Sequence, residues 1–332
     1  MSDGLAARAD LTSVYVPVAE VVRSGFVEGV HFGAVVALAA DGSLAFSHGD
    51  VSRPMHPRSA NKLLQATGMR ELGLHLADEL LALSAASHWG ESFHLTGVRS
   101  ILAKAGLNES ALQTTSALPE DPQAKREAIE AGIGPSAIRH GCSGKHAAML
   151  ATCVLGGWPT DSYLSPEHPL QQALRDSVER TIGTHVAHEA IDGCGAPAWA
   201  MSLRSLAAAY RDAVLAPAGS AAEVAAAMRA HPQYVGGTQS EVTALMRAVP
   251  GLLVKDGAES VYVAAFADGR AVAVKISDGG FRAGQVVLVD ALLRLGAADE
   301  PTADREALAR WGVVPVLGHG ERVGEVRPLR PR

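Results

Sequence analysis

Two groupings of side chains in this chain could do chemistry. The first is Arg58-Ser59-Ala-Asn-Lys62, preceded by His56-Pro57 and followed by Leu63-Leu64-Gln65-Ala66 with helical apolar spacing. Three positions apart on a helix, Ser59 and Lys62 share a face. A lysine whose pKa is pulled down from about 10.4 by burial or a neighbouring cation can act as general base to a serine nucleophile. Alone, so short a motif more commonly marks a serine N-cap with a solvent-facing lysine one turn in. Two further features change that weighting: Ser87-His88-Trp89-Gly90 after a helix, and Lys255-Asp256-Gly257-Ala258 at the edge of a C-terminal hairpin. Singly, Ser87 reads as a helix C-terminal serine and Lys255 as an exposed strand-edge lysine.

The second grouping is Gly141-Cys142-Ser143-Gly144-Lys145-His146, opening a helix, matched downstream by Asp192-Gly193-Cys194-Gly195. Two thiolates, a carboxylate and one nitrogen donor from Lys145 or His146 would make a tetrahedral zinc site. The alternative is that Cys142 and Cys194 are small buried hydrophobes and that the glycines allow a tight turn into the helix. Cys153 reads as core, His75, His94 and His168 as structural or surface groups, and Trp158, Trp199 and Trp311 as packing. Neither Asp192-Gly-Cys-Gly-Ala-Pro197 nor Gly132-Ile-Gly134-Pro has the spacing of a phosphate loop, which disfavours a nucleotide cofactor.

The elements that must position these groups follow from periodicity. Val14 to Val22 reads as a strand, and Gly33 to Phe46 as a hairpin on Asp41-Gly42. Helical patterns cover 59–72, 78–87, 95–105, 145–155, 169–182, 198–214 and 221–230. Ser260 to Ile276 reads as a second hairpin, on Asp268-Gly269, with a helix over 285–295. Hairpins at both ends around a helical middle imply an α+β fold: one antiparallel sheet from the two termini, with a helical lobe against it and a cleft between. The expected arrangement is a single domain, its sheet lobe formed by 1–57 with 251–332 and its helical lobe by 58–250.

Composition agrees with a chain that folds on its own core: 332 residues, 48% hydrophobic and 19% charged. A net charge of -6 without a basic stripe disfavours nucleic acid. Met1 to Thr12 carries acidic residues and no apolar segment, so no secretory signal is read there, and no run approaches the ~18 apolar residues of a membrane-spanning helix. Three cysteines are too few for a disulfide framework. The expectation is a cytoplasmic protein, and a homodimer is the default for an enzyme of this size.

The order of the parts resembles that of serine β-lactamases and penicillin-binding proteins, which place Ser-x-x-Lys on a helix, a second serine motif in the helical lobe and Lys-Thr-Gly on a strand. Taken together, His56 to Ala66, Ala86 to Glu91, Gly141 to Leu150, Asp192 to Pro197 and Lys255 to Glu259 resemble the rhizobial-type L-asparaginase family, the asparaginase II domain family. The cysteine block is the most specific of these motifs. The resemblance implies a β-lactamase/glutaminase-like fold and hydrolysis of L-asparagine to L-aspartate and ammonia. It implies two Ser-Lys pairs, Ser59 with Lys62 and Ser87 with Lys255, with Lys275 on the partner strand as a competitor to Lys255. It further implies zinc on Cys142, Lys145, Asp192 and Cys194, and an active-site arginine at Arg58. The chain departs from the family by carrying His140-Gly141 where Asn-Asn is common. Related readings are a serine hydrolase acting on glutamine, a β-lactam or an ester, and a non-catalytic zinc-dependent binding protein.

Overall fold

A computed structural model describes residues 14–329, so Met1–Thr12, inspected above for a leader, lies outside the described residues. Strands β1 (Val16–Arg23), β2 (Phe26–Leu38) and β3 (Leu44–His48) come from the N-terminal part. Short β4 (Pro54–Met55) pairs with β7 (Met201–Ser202), and β5 (Glu189–Ile191) pairs with β6 (Pro197–Trp199). β8 (Leu253–Gly257), β9 (Val261–Ala265), β10 (Ala271–Ile276), β11 (Val314–Gly318) and β12 (Glu321–Pro328) come from the C-terminal part. The main sheet runs β11-β12-β1-β2-β10-β9-β8, with β3 on β2, and every pairing is antiparallel. The two termini thus meet directly: β1 pairs with β12 on one side, and β2 with β10.

Both expected Asp-Gly turns are built alike. Gly42 and Gly269 take positive φ (85° and 92°), which an L side chain resists, while Asp41 and Asp268 accept the backbone N–H two residues on. Every residue of β9 and β10 is buried, so both faces of the sheet centre are covered. Helix Leu203–Leu215 packs on β2, β9 and β10, and helix Phe281–Arg294 on β1, β10 and β12.

The helical middle agrees with the periodicity where caps are strong. Helix Pro169–Ile182 has the predicted bounds, because His168 accepts from Leu170 N–H at one end and Gly183 closes the other at φ 69°. Elsewhere tertiary pairing decides. The helix predicted over 198–214 starts instead at Leu203, capped by the Ser202 hydroxyl, because 197–199 returns as β6 against β5. The predicted 95–105 helix starts earlier, at Ser92, where Glu91 and His94 form a reciprocal capping box. The segment around Lys255 is a full strand, β8. Among the described residues no helix is long and apolar enough to cross a membrane.

Candidate active site

Four short segments converge between the sheet and the helical lobe. The first is a single 3-10 turn, Arg58–Asn61, which leads into helix Lys62–Glu71. It lies against the end of β8. A Cβ on Gly257 would stand 2.5 Å from the Pro57 carbonyl oxygen and 3.3 Å from the Ser59 nitrogen, so only glycine lets the strand come this close. The second segment carries Ser87 and is stitched down on both sides. Ser87 N–H donates to Val235 O, His88 N–H to Gly141 O and Trp89 N–H to Gly236 O, each at 2.9 Å. The third is the start of helix Ser143–Gly156, with Cys142 at its N-cap position. The fourth is the β5–β6 turn, which presents Asp192 and Cys194.

Lys62 and Lys255 are both fully buried. A buried ammonium needs donors' worth of acceptors around it, and the two lysines share one: Ser87 Oγ lies 3.1 Å from Lys62 Nζ and 2.9 Å from Lys255 Nζ. Lys62 also donates to the Ala86 carbonyl, and reaches Cys142 Sγ at 3.1 Å. Lys255 also donates to the Asp256 carbonyl oxygen at 2.8 Å, and pairs with the Asp256 carboxylate. Burial pulls the Lys255 pKa below the ordinary lysine value, with Asp256 opposing it. Lys275 is directed elsewhere, to the carbonyls of Glu259 and Ile276.

Ser59 lines the cavity and its hydroxyl has no hydrogen-bond partner among the described residues; its link to Lys62 runs through the backbone, where Lys62 N–H donates to the Ser59 carbonyl, and not between the side chains. Arg58 holds a left-handed backbone (φ 52°), which is costly for a non-glycine residue. Its Nε donates to Asp192 Oδ1 at 2.7 Å, and Nη1 stands 4.0 Å from Glu259. The cavity between these segments has a volume of about 260 Å³. A larger hollow of about 440 Å³, lined by Arg247, Arg310 and Trp311, contains none of the predicted site residues in its walls.

Adjoining the serines is the cysteine cluster. Lys145 Nζ lies 3.3 Å from Cys194 Sγ, and Cys194 Sγ lies 3.8 Å from Asp192 Oδ2. These separations match the edges of a tetrahedron of zinc ligands, roughly 3.3–3.8 Å for bonds of ~2.0–2.3 Å. Among the described residues no group of three or more His, Cys, Asp and Glu side chains is arranged to hold a metal ion. Of the two nitrogen candidates, His146 turns to the Tyr163 hydroxyl at 2.7 Å. The Cys142 thiol pKa is held well below its usual value by its hydrogen bond with Cys194, with Lys62 and Lys145 adding to this against burial. The Cys194 thiol is pushed up correspondingly. Asp192 titrates low: burial raises its pKa, but Lys145, Arg58 and the Gly193 N–H outweigh that.

Three further cavity residues carry no role in the motifs read from the sequence. Asp256 stands there only beside Lys255, and His140 only as a departure from the resembled pattern. His140 accepts the Cys142 N–H through Nδ1. Glu120 stands in the loop before helix Pro122–Glu130; it is exposed as a whole residue, yet burial, with Asp256 nearby, raises its carboxyl pKa.

Two serines line the cavity and one of them, Ser87, is hydrogen-bonded to two fully buried lysines behind it, an arrangement suited to acyl transfer. The chain belongs to the L-asparaginase II family, whose family model matches residues 19–328. No curated protein matches it. Among solved structures it is similar to Mglu in its native form, at 11% identity and a TM-score of 0.35, over 80% of this chain and 63% of that one. It is likewise similar to a β-lactamase from Mycobacterium bovis, at 12% identity and a TM-score of 0.36, over 84% of this chain and 95% of that one. The chain therefore spans less than two thirds of the length of Mglu. Superpositions this loose do not align side chains.

Proposed function

We propose that the chain hydrolyses the side-chain amide of L-asparagine to L-aspartate and ammonia. The observation that carries the reading is Ser87 Oγ held between two fully buried lysines, in the same cavity as the uncommitted Ser59 hydroxyl. Ser59 Oγ attacks the amide carbon, and its proton passes to the lysine pair through Ser87. Backbone N–H donors, that of Ser59 among them, stabilise the tetrahedral oxyanion, an effect of about 3 kcal/mol per donor. The C–N bond breaks as the proton returns to the leaving nitrogen, giving ammonia and an acyl-serine, which water resolves to L-aspartate. The Nη groups of Arg58, free of the Asp192 contact, pair with the substrate carboxylate through their planar fork.

Cys142, Lys145, Asp192 and Cys194 hold a zinc ion in this reading. If bound there, zinc would supply fixed positive charge that organises the pocket. Lys145 must then be neutral. The active species is proposed to be a homodimer, for which light scattering returns twice the 34.4 kDa chain mass.

A second reading is favoured by one observation: Ser87, not Ser59, makes the nucleophile-to-base contact in this geometry. Acid quenching during asparagine turnover, followed by peptide mapping of the trapped acyl group, separates the two. An ester on Ser59 supports the first assignment; an ester on Ser87 replaces it.

A further inference from the structure

Four charged side chains line the cavity: Arg58, Glu120, Asp192 and Asp256. Three of them are already compensated, Arg58 by Asp192 and Asp256 by Lys255. Glu120 is the exception, having no hydrogen-bond or ion-pair partner among the described residues. Its position is nonetheless fixed. The neighbouring Asp121 donates its N–H to Trp89 O at 2.9 Å and caps the following helix by accepting from Ala124 N–H at 2.7 Å. Gly90, at φ 79°, would bring a Cβ to 3.0 Å from Pro119 Cα, and a Cβ on Gly141 would lie 3.6 Å from Glu120 Oε1. The loop is thus clamped to the segment that carries Ser87, and its carboxylate lies over the residue before Cys142.

A carboxylate that lines a cavity with no cationic side chain paired to it is placed to accept a cationic group of a ligand. We propose that Glu120 binds the α-ammonium group of the substrate, opposite in charge and role to Arg58, which takes the α-carboxylate. The assignment rests on the amidohydrolase reading and narrows it. The substrate is a free α-amino acid bearing a side-chain amide; an N-acylated or peptide-embedded asparagine has no ammonium group to offer and is excluded. Placing both α-substituents leaves the side-chain amide as the part of the molecule that reaches the serines.

The test is calorimetric binding of L-aspartate, succinate and N-acetyl-L-aspartate to the wild type and to Glu120→Gln, alongside ammonia release from L-asparagine by the wild type. The expected result is that wild type binds L-aspartate at least about tenfold more tightly than either ligand lacking the ammonium, the lower end of what a hydrogen bond to a charged group contributes. Glu120→Gln should bind L-aspartate and succinate alike, with an unchanged melting temperature, and Glu120→Asp should recover part of the preference. Equal affinities in the wild type, no binding of L-aspartate, or a preference that survives Glu120→Gln would overturn the assignment. Preference without ammonia release would instead leave Glu120 in place and remove the hydrolysis reading.

Discussion

At the residue scale, the side chains that could do chemistry were legible by type. Ser59, Lys62, Ser87, Lys255 and the cysteine block each have an ordinary structural reading alone; it is their order together that singles them out, and the structure gathers them around one cavity. What local patterns could not supply is which partner each side chain finds. On an ideal helix Ser59 and Lys62 share a face, yet the Lys62 ammonium turns to Ala86, Ser87 and Cys142, because those segments offer acceptors in the buried interior. Glu120 left no mark because a lone carboxylate in a loop is unremarkable until the fold shows it lining the cavity with no ion-pair partner among the described residues. His94 shows the opposite outcome, the structural group expected of it: Nδ1 accepts the Glu91 N–H, leaving Nε2–H to donate to Gln233 O at 2.8 Å. Burial lowers its pKa to about 4. A neutral, depressed histidine contributes stability that is present above the unfolded value near 6.5 and lost as pH falls from 6.5 toward 4, where only the unfolded chain takes up the proton. The loss is roughly 3 kcal/mol at most. Urea unfolding between pH 7.5 and 4 should therefore show a stability slope that flattens in His94→Gln, whose amide can keep both hydrogen bonds; an unchanged slope contradicts the account.

At the element scale, the hairpins and the helix Pro169–Ile182 were legible because Asp-Gly turns and end caps act locally. The start of helix Leu203–Leu215 was not, because pairing of β6 with β5 overrides helical periodicity from Pro197 onward. β8 escaped notice for a similar reason: Lys255, Asp256 and Gly257 look like a polar surface segment, whereas the Arg58–Asn61 turn covers them and leaves Lys255 fully buried. The contact between that turn and Gly257 leads to a prediction. Gly257→Ala would press a methyl group into Pro57 O and the Ala60 nitrogen, shifting the turn that carries Ser59. Misplacement of reacting groups by about 1 Å can cost ~100-fold in rate, so kcat/KM should fall about that far while the melting temperature drops by only a few degrees. Loss of stability with the specific activity of the folded fraction unchanged would contradict this. The β5–β6 turn permits a second test. If Cys142, Lys145, Asp192 and Cys194 hold zinc, elemental analysis should find about one zinc per chain, and Cys194→Ala should lose it together with part of the thermal stability. Full zinc content in Cys194→Ala would remove the assignment.

At the scale of the whole molecule, the α+β plan of one antiparallel sheet from both termini with a helical lobe against it was legible because each terminus carries a hairpin whose partner strand must lie in the other. The strands β11 and β12 were not assigned individually; they complete the sheet beside β1. The cavity exists because this closure brings β8, the Ser87 segment, the Cys142 helix and the β5–β6 turn to one place, although they are far apart in sequence. Ammonia release from L-asparagine, measured side by side for wild type, Ser59→Ala and Ser87→Ala with L-glutamine in parallel, tests whether that meeting point is an amidase. The account predicts release by the wild type, preference for asparagine over glutamine, and loss of at least about a thousandfold in each serine variant while both stay folded. No release by the wild type with zinc supplied, or wild-type rates in both serine variants, would contradict it.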